Sequence, residues 1–237
     1  MEIHGLQKLT LLDYPGKTAC TVFLAGCNLR CPFCHNSGLL TRSAPAVMED
    51  GELLAFLRKR QGLLDGVCIT GGEPTLCPEL PALLRAIRDL GYSIKLDTNG
   101  TRPERLGEIM EQGLADYVAM DVKNSPARYA ETTGCPGLDL SAVAQSLRLL
   151  LRGETDYELR TTVVAELHDA DSIRGIGAFL SELSPERKAK RFFLQAFADR
   201  DSVLMAGFHT PSDEALREYR DILSPFVTSC EVRGRTV

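Results

Sequence analysis

The stretch AGCNLRCPFCHN, residues 25–36, carries three cysteines in the pattern Cys-x3-Cys-x2-Cys. They are Cys27, Cys31 and Cys34, and no fourth cysteine lies nearby in the sequence. Three thiolates can hold three irons of a cubane iron–sulfur cluster, which leaves the fourth iron open to a substrate or cosubstrate. An open iron indicates catalysis rather than simple electron storage. The alternative is a structural zinc site with His35 as a fourth ligand.

Length and charge narrow the classes of protein to consider. The chain has 237 residues, and its 27 basic and 32 acidic residues give a net charge of −5. This length suits one domain over residues 1–237, and the charge pattern shows no basic footprint for nucleic acid. The N-terminus lacks the layout of a signal peptide, and no apolar run is long enough to cross a bilayer. We therefore expect a cytoplasmic protein with neither nucleic-acid nor membrane partners.

The other five cysteines are scattered singly along the chain, so the sequence predicts no auxiliary cluster. Short apolar runs rich in β-branched residues alternate with segments of helical period, which is typical of repeated βα units around a parallel sheet. Six strands are predicted, at residues 20–24, 67–70, 93–97, 117–122, 158–164 and 191–197. The fold class predicted is α/β, a partial (β/α)6 barrel. A last helix is expected with Thr210 as its N-cap and Pro211 in its first turn, followed by a short strand at 226–232.

Polar and glycine-bearing motifs follow successive predicted strands. In parallel sheets and βα barrels, ligand sites lie at the carboxyl ends of the strands. We therefore expect these motifs to converge on one site. In chain order they are the cysteine loop, then Gly71, Gly72 and Glu73, then Asp97, Thr98 and Asn99, and finally Asp121, Val122 and Lys123. Two adjacent glycines suit a backbone that approaches a ligand closely, and Glu73 would face the same ligand.

The cysteine loop, followed by Gly-Gly-Glu-Pro after the second strand, resembles the radical S-adenosylmethionine (SAM) superfamily. The resemblance implies a [4Fe–4S] cluster on the three cysteines, with SAM bound to the open iron. The reduced cluster would cleave SAM reductively and leave a 5′-deoxyadenosyl radical that abstracts hydrogen from the substrate. No catalytic residue beyond the cluster and SAM is implied.

The opening stretch TLLDYPGKTACTVFLAGCNLRCPFCHN, residues 10–36, resembles the anaerobic ribonucleoside-triphosphate reductase activating proteins. These are relatives of the pyruvate formate-lyase activating enzyme. The resemblance implies a glycyl radical enzyme as partner, a glycine of that partner as substrate, and a flavodoxin- or ferredoxin-type electron donor. Two alternatives stay open: a radical SAM enzyme acting on a small molecule or another peptide, and a non-enzymatic zinc or iron–sulfur protein that docks onto a partner.

The same resemblance implies which residues bind the cosubstrate. Phe33 to His35 would lie beside the adenine, Gly72 would contact the amino group, and residues 121–123 would form the fourth-strand contact. From their positions at or near the ends of the fourth and fifth predicted strands, Lys123 and Arg160 would hold carboxylate or ribose groups. The alternative for Arg160 is a surface or barrel-layer arginine. Relatives can place a histidine at the end of the sixth strand, where this chain has Phe197; its ring can stack but has no ring nitrogens. The full set of expected cofactor-binding residues is Phe33, Cys34, His35, Gly71, Gly72, Glu73, Asp97, Thr98, Asn99, Asp121, Val122, Lys123, Arg160 and Phe197.

Asp97 and Asp121 come from adjacent predicted strand ends and allow two interpretations. They could serve as a general acid and base. We favour a monovalent cation bound through their oxygens with help from Thr98, because oxygen ligands suit hard cations. This layout resembles the activating enzymes of glycyl radical enzymes, in which a cation helps to anchor the cosubstrate carboxylate.

Overall fold

The computed structural model describes residues 1–41 and 43–234. The strands found there are β1 Glu2–Ile3, β2 Gly5–Thr10, β3 Ala19–Leu24, β4 Met48–Glu49, β5 Gly66–Gly71, β6 Ser93–Thr98, β7 Tyr117–Asp121, β8 Asp156–Val163, β9 Ala189–Ala196 and β10 Val227–Arg233. The α-helices are α1 Asp50–Arg58, α2 Leu80–Asp89, α3 Pro103–Glu111, α4 Tyr129–Thr133, α5 Leu140–Leu151, α6 Ala170–Leu183 and α7 Asp213–Leu223. Within the described residues, no helix has both the length and the apolar character needed to cross a membrane.

The residue pattern explains these elements. Strands β3 and β5 are buried along almost their whole length, as expected for parallel strands covered on both faces. Helix α2 buries one apolar face, formed by Leu80, Leu83, Leu84 and Ile87. These residues are spaced three or four apart, so they lie on one side of the helix. Burial of this apolar face stabilises the helix far more than intrinsic helix propensity does.

The chain divides into two compact units. The first contains residues 1–28, 38–98 and 104–119. Within it, β2 pairs antiparallel with β3, β3 pairs parallel with β5, and β5 pairs parallel with β6. A separate antiparallel pair joins β1 to β4. The first unit therefore supplies the strand ends that precede the cysteine loop, the Gly-Gly-Glu motif and the Asp97 motif.

The second unit contains residues 29–37, 99–103 and the chain from Met120 onward. Its strands β8, β9 and β10 are parallel. Helices α6 and α7 contact each other, and α7 also contacts β10. Strand β7 begins in the first unit and ends in the second. The expectation of one domain over residues 1–237 stays a prediction.

All six expected strands and the short final strand are present, with ends shifted by one or two residues. The start of the last helix was predicted wrongly. Ser212, not Thr210, is the N-cap: it is extended, and its hydroxyl accepts from the backbone N–H of Ala215 at 3.1 Å. Pro211 therefore precedes the helix. The antiparallel strand β2 was also not expected, because its segment carries exposed polar and apolar residues without clear alternation.

Candidate active site

The cysteine loop follows β3 directly, so its position is set by the end of a buried strand. Cys27 belongs to the first unit, and Cys31 and Cys34 belong to the second. The backbone N–H of Cys34 donates to the carbonyl of Cys31 at 3.0 Å, which closes a turn. Burial raises the pKa of the Cys34 thiol, whereas a hydrogen bond from the backbone of Asn36 and the charge of Lys123 act in the opposite direction.

The chemistry of this loop fits thiolate ligands. Every cysteine lies within the described residues, and all eight are free thiols. A backbone donor and a nearby positive charge at Cys34 are the surroundings that stabilise cluster-bound thiolates. The described part of the chain shows no group of three or more His, Cys, Asp or Glu side chains already arranged around a metal. The assignment of Cys27, Cys31 and Cys34 as ligands therefore rests on the donor set and, below, on the family.

His35 contacts the two residues that follow β9, Phe197 and Ala198. Its Nε2 donates to the carbonyl of Ala198 at 2.6 Å. Its ring stacks on that of Phe197, with centroids 5.2 Å apart and planes inclined by 13°. A metal-ligating histidine commonly donates its other ring N–H to a carbonyl, so these contacts do not decide against a zinc site with His35 as fourth ligand. They also bring together two of the residues expected beside the adenine.

Gly71 and Gly72 lie at the end of β5, where backbone segments approach closely. Gly72 donates its N–H to the carbonyl of Leu24 at 2.8 Å. A Cβ on Gly71 would lie 2.2 Å from that carbonyl oxygen, and a Cβ on Gly72 would lie 2.3 Å from the carbonyl oxygen of Gly26. Gly71 also has a φ of +123°. Both glycines are therefore required by the packing of β5 against the start of the cysteine loop, and their contact with a cosubstrate stays a prediction.

Glu73 is buried, with only 2% of its surface exposed. Its Oε1 accepts from the backbone N–H of Thr75 at 3.1 Å, from the Thr75 hydroxyl, and from the Thr98 hydroxyl at 2.8 Å. The carboxylate thus joins the turn after β5 to the end of β6. This is a structural role that the sequence analysis did not anticipate.

Asp97 pairs with Lys95, a residue that the sequence analysis missed. The Lys95 side chain is only 2% exposed, and its ammonium donates to Oδ1 of Asp97. In the parallel sheet of the first unit, Lys95 of β6 is in register with Cys68 of β5, which is in register with Thr21 of β3.

Asn99, in the second unit, stabilises the turn after β6. Its Oδ1 accepts hydrogen bonds from the backbone N–H and the hydroxyl of Thr101, at 3.0 and 2.7 Å.

Asp121, Lys123 and Arg160 form one ion cluster, which the sequence analysis did not anticipate. Lys123 Nζ and Arg160 Nε each donate to an oxygen of Asp121 at 2.9 Å. Burial alone would raise the pKa of Asp121, but the charges of Arg160 and Lys123 outweigh it and hold that pKa well below its usual range. Burial would lower the pKa of Lys123, and the Asp121 charge instead raises it.

The backbone around this cluster is fixed by buried groups. The carbonyl of Val122 accepts from the Thr161 hydroxyl at 2.6 Å. The N–H of Lys123 donates to the Tyr129 hydroxyl at 3.3 Å, and its carbonyl accepts from Nε2 of His168 at 2.9 Å. Burial lowers the pKa of His168, so the ring is neutral at pH 7. Sequence patterns gave no signal for Tyr129 or His168, because both residue types are common in unrelated cores.

The cation expected at Asp97, Thr98 and Asp121 stays a prediction. Each carboxylate already has a protein cation: Lys95 for Asp97, and Lys123 with Arg160 for Asp121. Convergence of all the motifs on one site also stays a prediction.

An open pocket of about 500 Å³ lies at the carboxyl ends of β8 and β9 in the second unit. Its lining is mixed polar and apolar and includes His35, Thr162, Gln195, Phe197, Arg200 and Arg233. Arg233 is held in place by Glu158 through two bonds of 2.9 Å. Its guanidinium also lies 3.2 Å from the centroid of the Phe193 ring. This arrangement provides fixed polar groups beside the ring pair of His35 and Phe197.

Residues 21–171 match the family model described as the Radical SAM superfamily. The chain belongs to the radical SAM superfamily. A Methanocaldococcus jannaschii protein that carries the provisional name of a glycyl-radical enzyme activating enzyme is 29% identical over an alignment of 239 positions, which covers 98% of this chain and 95% of that protein. A 7-carboxy-7-deazaguanine synthase of Thermococcus kodakarensis is 27% identical over an alignment of 191 positions, which covers 72% of this chain and 73% of that protein.

Solved structures confirm the fold. The crystal structure of Streptococcus suis SuiB bound to the precursor peptide SuiA matches with a TM-score of 0.69 at 15% identity, over 90% of this chain and 48% of that one. Together with the family match, this confirms the expected partial (β/α)6 barrel class. The radical SAM chain is an enzyme, and its family implies a [4Fe–4S] cluster and SAM.

Proposed function

We propose that this radical SAM enzyme is an activase that abstracts hydrogen from a glycine of a partner glycyl radical enzyme. The observation that carries the proposal is the end-to-end match to the M. jannaschii protein, which covers 98% of this chain and 95% of the relative. The stretch 10–36 favours an anaerobic ribonucleoside-triphosphate reductase as the partner. The cytoplasm is the compartment that suits such a partner and a flavodoxin- or ferredoxin-type electron donor.

When bound, the cluster and SAM supply a low-potential electron and the hydrogen-abstracting radical. The protein has to bind and orient them. We assign the cluster to Cys27, Cys31 and Cys34, and the SAM amino group to the backbone at Gly72. The positive charges of Lys123 and Arg160 suit the carboxylate or ribose of SAM, because Asp121 fixes both side chains at the end of β7.

The aromatic pair of His35 and Phe197 is assigned to the adenine. Both residues line the open pocket, where the half-buried ring of His35 stacks on the buried ring of Phe197 and has polar neighbours. An open pocket also suits an extended protein segment, whereas small-molecule sites enclose most of their ligand.

A small-molecule substrate is the second candidate function. The match to 7-carboxy-7-deazaguanine synthase over 72% of this chain favours it. The two functions differ in what the isolated enzyme does. An activase alone should cleave SAM slowly and without coupling, and a small-molecule enzyme should turn over rapidly once its metabolite is supplied.

The test is anaerobic measurement of 5′-deoxyadenosine with a reductant, SAM and candidate partners, each supplied separately. The activase proposal predicts faster, stoichiometric cleavage with the matching glycyl radical enzyme and no such increase when the partner's radical glycine is replaced by alanine. Rapid stoichiometric turnover of a metabolite with no protein partner would contradict the proposal and favour the second function.

A further inference from the structure

The segment 198–205, here called the strap, leaves the end of β9 and returns to the cysteine loop. It joins residues 32–37 through four hydrogen bonds. They run from His35 Nε2 to the carbonyl of Ala198 at 2.6 Å, from Ser37 Oγ to the carbonyl of Ser202 at 2.6 Å, from Leu204 N–H to the carbonyl of Cys34 at 3.2 Å, and from Met205 N–H to the carbonyl of Pro32 at 2.9 Å. The strap therefore lies against the half of the loop that carries Cys31 and Cys34.

Two of the four bonds depend on side chains. The bonds from Leu204 and Met205 use backbone groups that nearly any sequence provides. The other two need the imidazole of His35 and the hydroxyl of Ser37. Because a carbonyl can only accept, Nε2 of His35 must carry the proton. Of the four bonds, only those of His35 and Ser37 can be removed by a side-chain substitution.

The strap is otherwise weakly held. It lies outside the helices and strands, and Leu204 and Met205 are 39% and 57% exposed. Arg200 is exposed as well. A segment with little apolar burial opens by local unfolding, and each hydrogen bond to it shifts that equilibrium directly.

We propose that His35 and Ser37 are positioning residues that hold the strap over residues 32–34 and restrict access of solvent and oxygen to the cluster. The inference rests on the cluster that the family implies, and it is independent of the substrate. Oxygen destroys exposed iron–sulfur clusters, and exclusion of water strengthens the electrostatic interactions around buried thiolates. Covering the loop would therefore lengthen the lifetime of the cluster in air and strengthen the electrostatic interactions of its thiolate ligands.

Limited trypsin digestion under anaerobic conditions measures opening of the strap, because Arg200 lies within it. Mass spectrometry follows the fragment that ends at Arg200. Ser37→Ala should accelerate this cleavage about fivefold, the usual effect of one neutral hydrogen bond on an equilibrium. Ser37→Thr keeps the hydroxyl and should restore the wild-type rate. Ser43→Ala is the matched control, because that exposed serine bonds to Thr41 Oγ1 at 2.9 Å.

Loss of the visible absorbance of the reconstituted cluster in air is the second readout, and it requires no turnover. Ser37→Ala should bleach about fivefold faster and Ser37→Thr at the wild-type rate. His35→Phe keeps an aromatic ring against Phe197 but removes the Nε2 bond, and it should behave like Ser37→Ala. Wild-type rates of both cleavage and bleaching in Ser37→Ala and His35→Phe would overturn the proposal. Faster cleavage with unchanged bleaching would overturn the shielding role.

Discussion

Arg160 and Asp121 are joined side chain to side chain, Nε to Oδ1, at 2.9 Å. Arg160 lies on β8, and Asp121 is the last residue of β7. The bond therefore links a side chain of β8 to the carboxyl end of β7. Nζ of Lys123 donates to the other oxygen of the same carboxylate, Oδ2 of Asp121. Two cations around one carboxylate leave net positive charge at this strand end, which is the sign that the carboxylate of SAM requires.

Asp121→Asn should lower stability at neutral pH by about 2 kcal/mol, the usual value of hydrogen bonds to charged groups. The pKa of Asp121 is lower in the folded than in the unfolded chain, where it is near 3.8. Ionisation of Asp121 therefore stabilises the fold at pH values above its unfolded pKa. This stabilisation is lost as the pH falls toward the lower pKa of the folded state. Urea unfolding from pH 7 to pH 3 should show a constant difference between wild type and variant above about pH 5, shrinking below about pH 4. A difference that grows on acidification would contradict this.

Lys95→Met should destabilise the protein by about 3–5 kcal/mol, because it removes the buried ammonium that pairs with the Asp97 carboxylate. The exposed Lys8→Met is the control and should change stability by less than about 0.5 kcal/mol. Chemical denaturation of both variants measures the effect. Equal stability of the two would show that the pair of Lys95 and Asp97 does not hold the strand end.

Gly71→Ala should prevent correct assembly of the loop start, because the added Cβ meets the carbonyl oxygen of Leu24 at 2.2 Å and φ is +123°. We expect a large loss of stability and a lower iron content after reconstitution. Gly51→Ala is the matched control: it has open space and an ordinary φ at the start of α1, so it should be neutral or slightly stabilising. Normal iron content in Gly71→Ala would show that the close approach is not needed.

Cys31→Ala should abolish reductive cleavage of SAM, because a cubane held by two thiolates does not persist. Replacement of a cysteine outside the loop, such as Cys77→Ala, should be tolerated. Iron and sulfide analysis with assay of 5′-deoxyadenosine distinguishes the two. Retained cleavage in Cys31→Ala would contradict the ligand assignment.

The parallel strands could be predicted because buried runs of β-branched residues leave a clear pattern, as in β3 and β5. The rule that parallel strands end at one edge placed Asp121, Lys123 and Arg160 at strand ends, but their ion pairs with one another were not predicted. Other features left no local signal. A lysine within a strand normally indicates an exposed face, so burial of Lys95 depends on a partner that the pattern does not reveal.

The strap and the true helix start were missed for related reasons. Residues 198–205 have no periodicity, and their placement depends on bonds to residues more than 160 positions away. Thr210 and Ser212 are both competent N-caps, and the choice between them depends on the tertiary path of the chain. The Gly-Gly-Glu motif was located correctly, but its packing role became visible only with the neighbouring backbone in place.

The most direct test of the activase is transfer of deuterium from the partner to 5′-deoxyadenosine. The candidate glycyl radical enzyme is labelled with α-deuterated glycine and mixed anaerobically with this protein, SAM and a reductant. For an activase we expect one deuterium in the 5′-deoxyadenosine recovered and a glycyl radical signal in electron paramagnetic resonance. Unlabelled 5′-deoxyadenosine and no glycyl signal with every candidate partner would contradict the activase proposal.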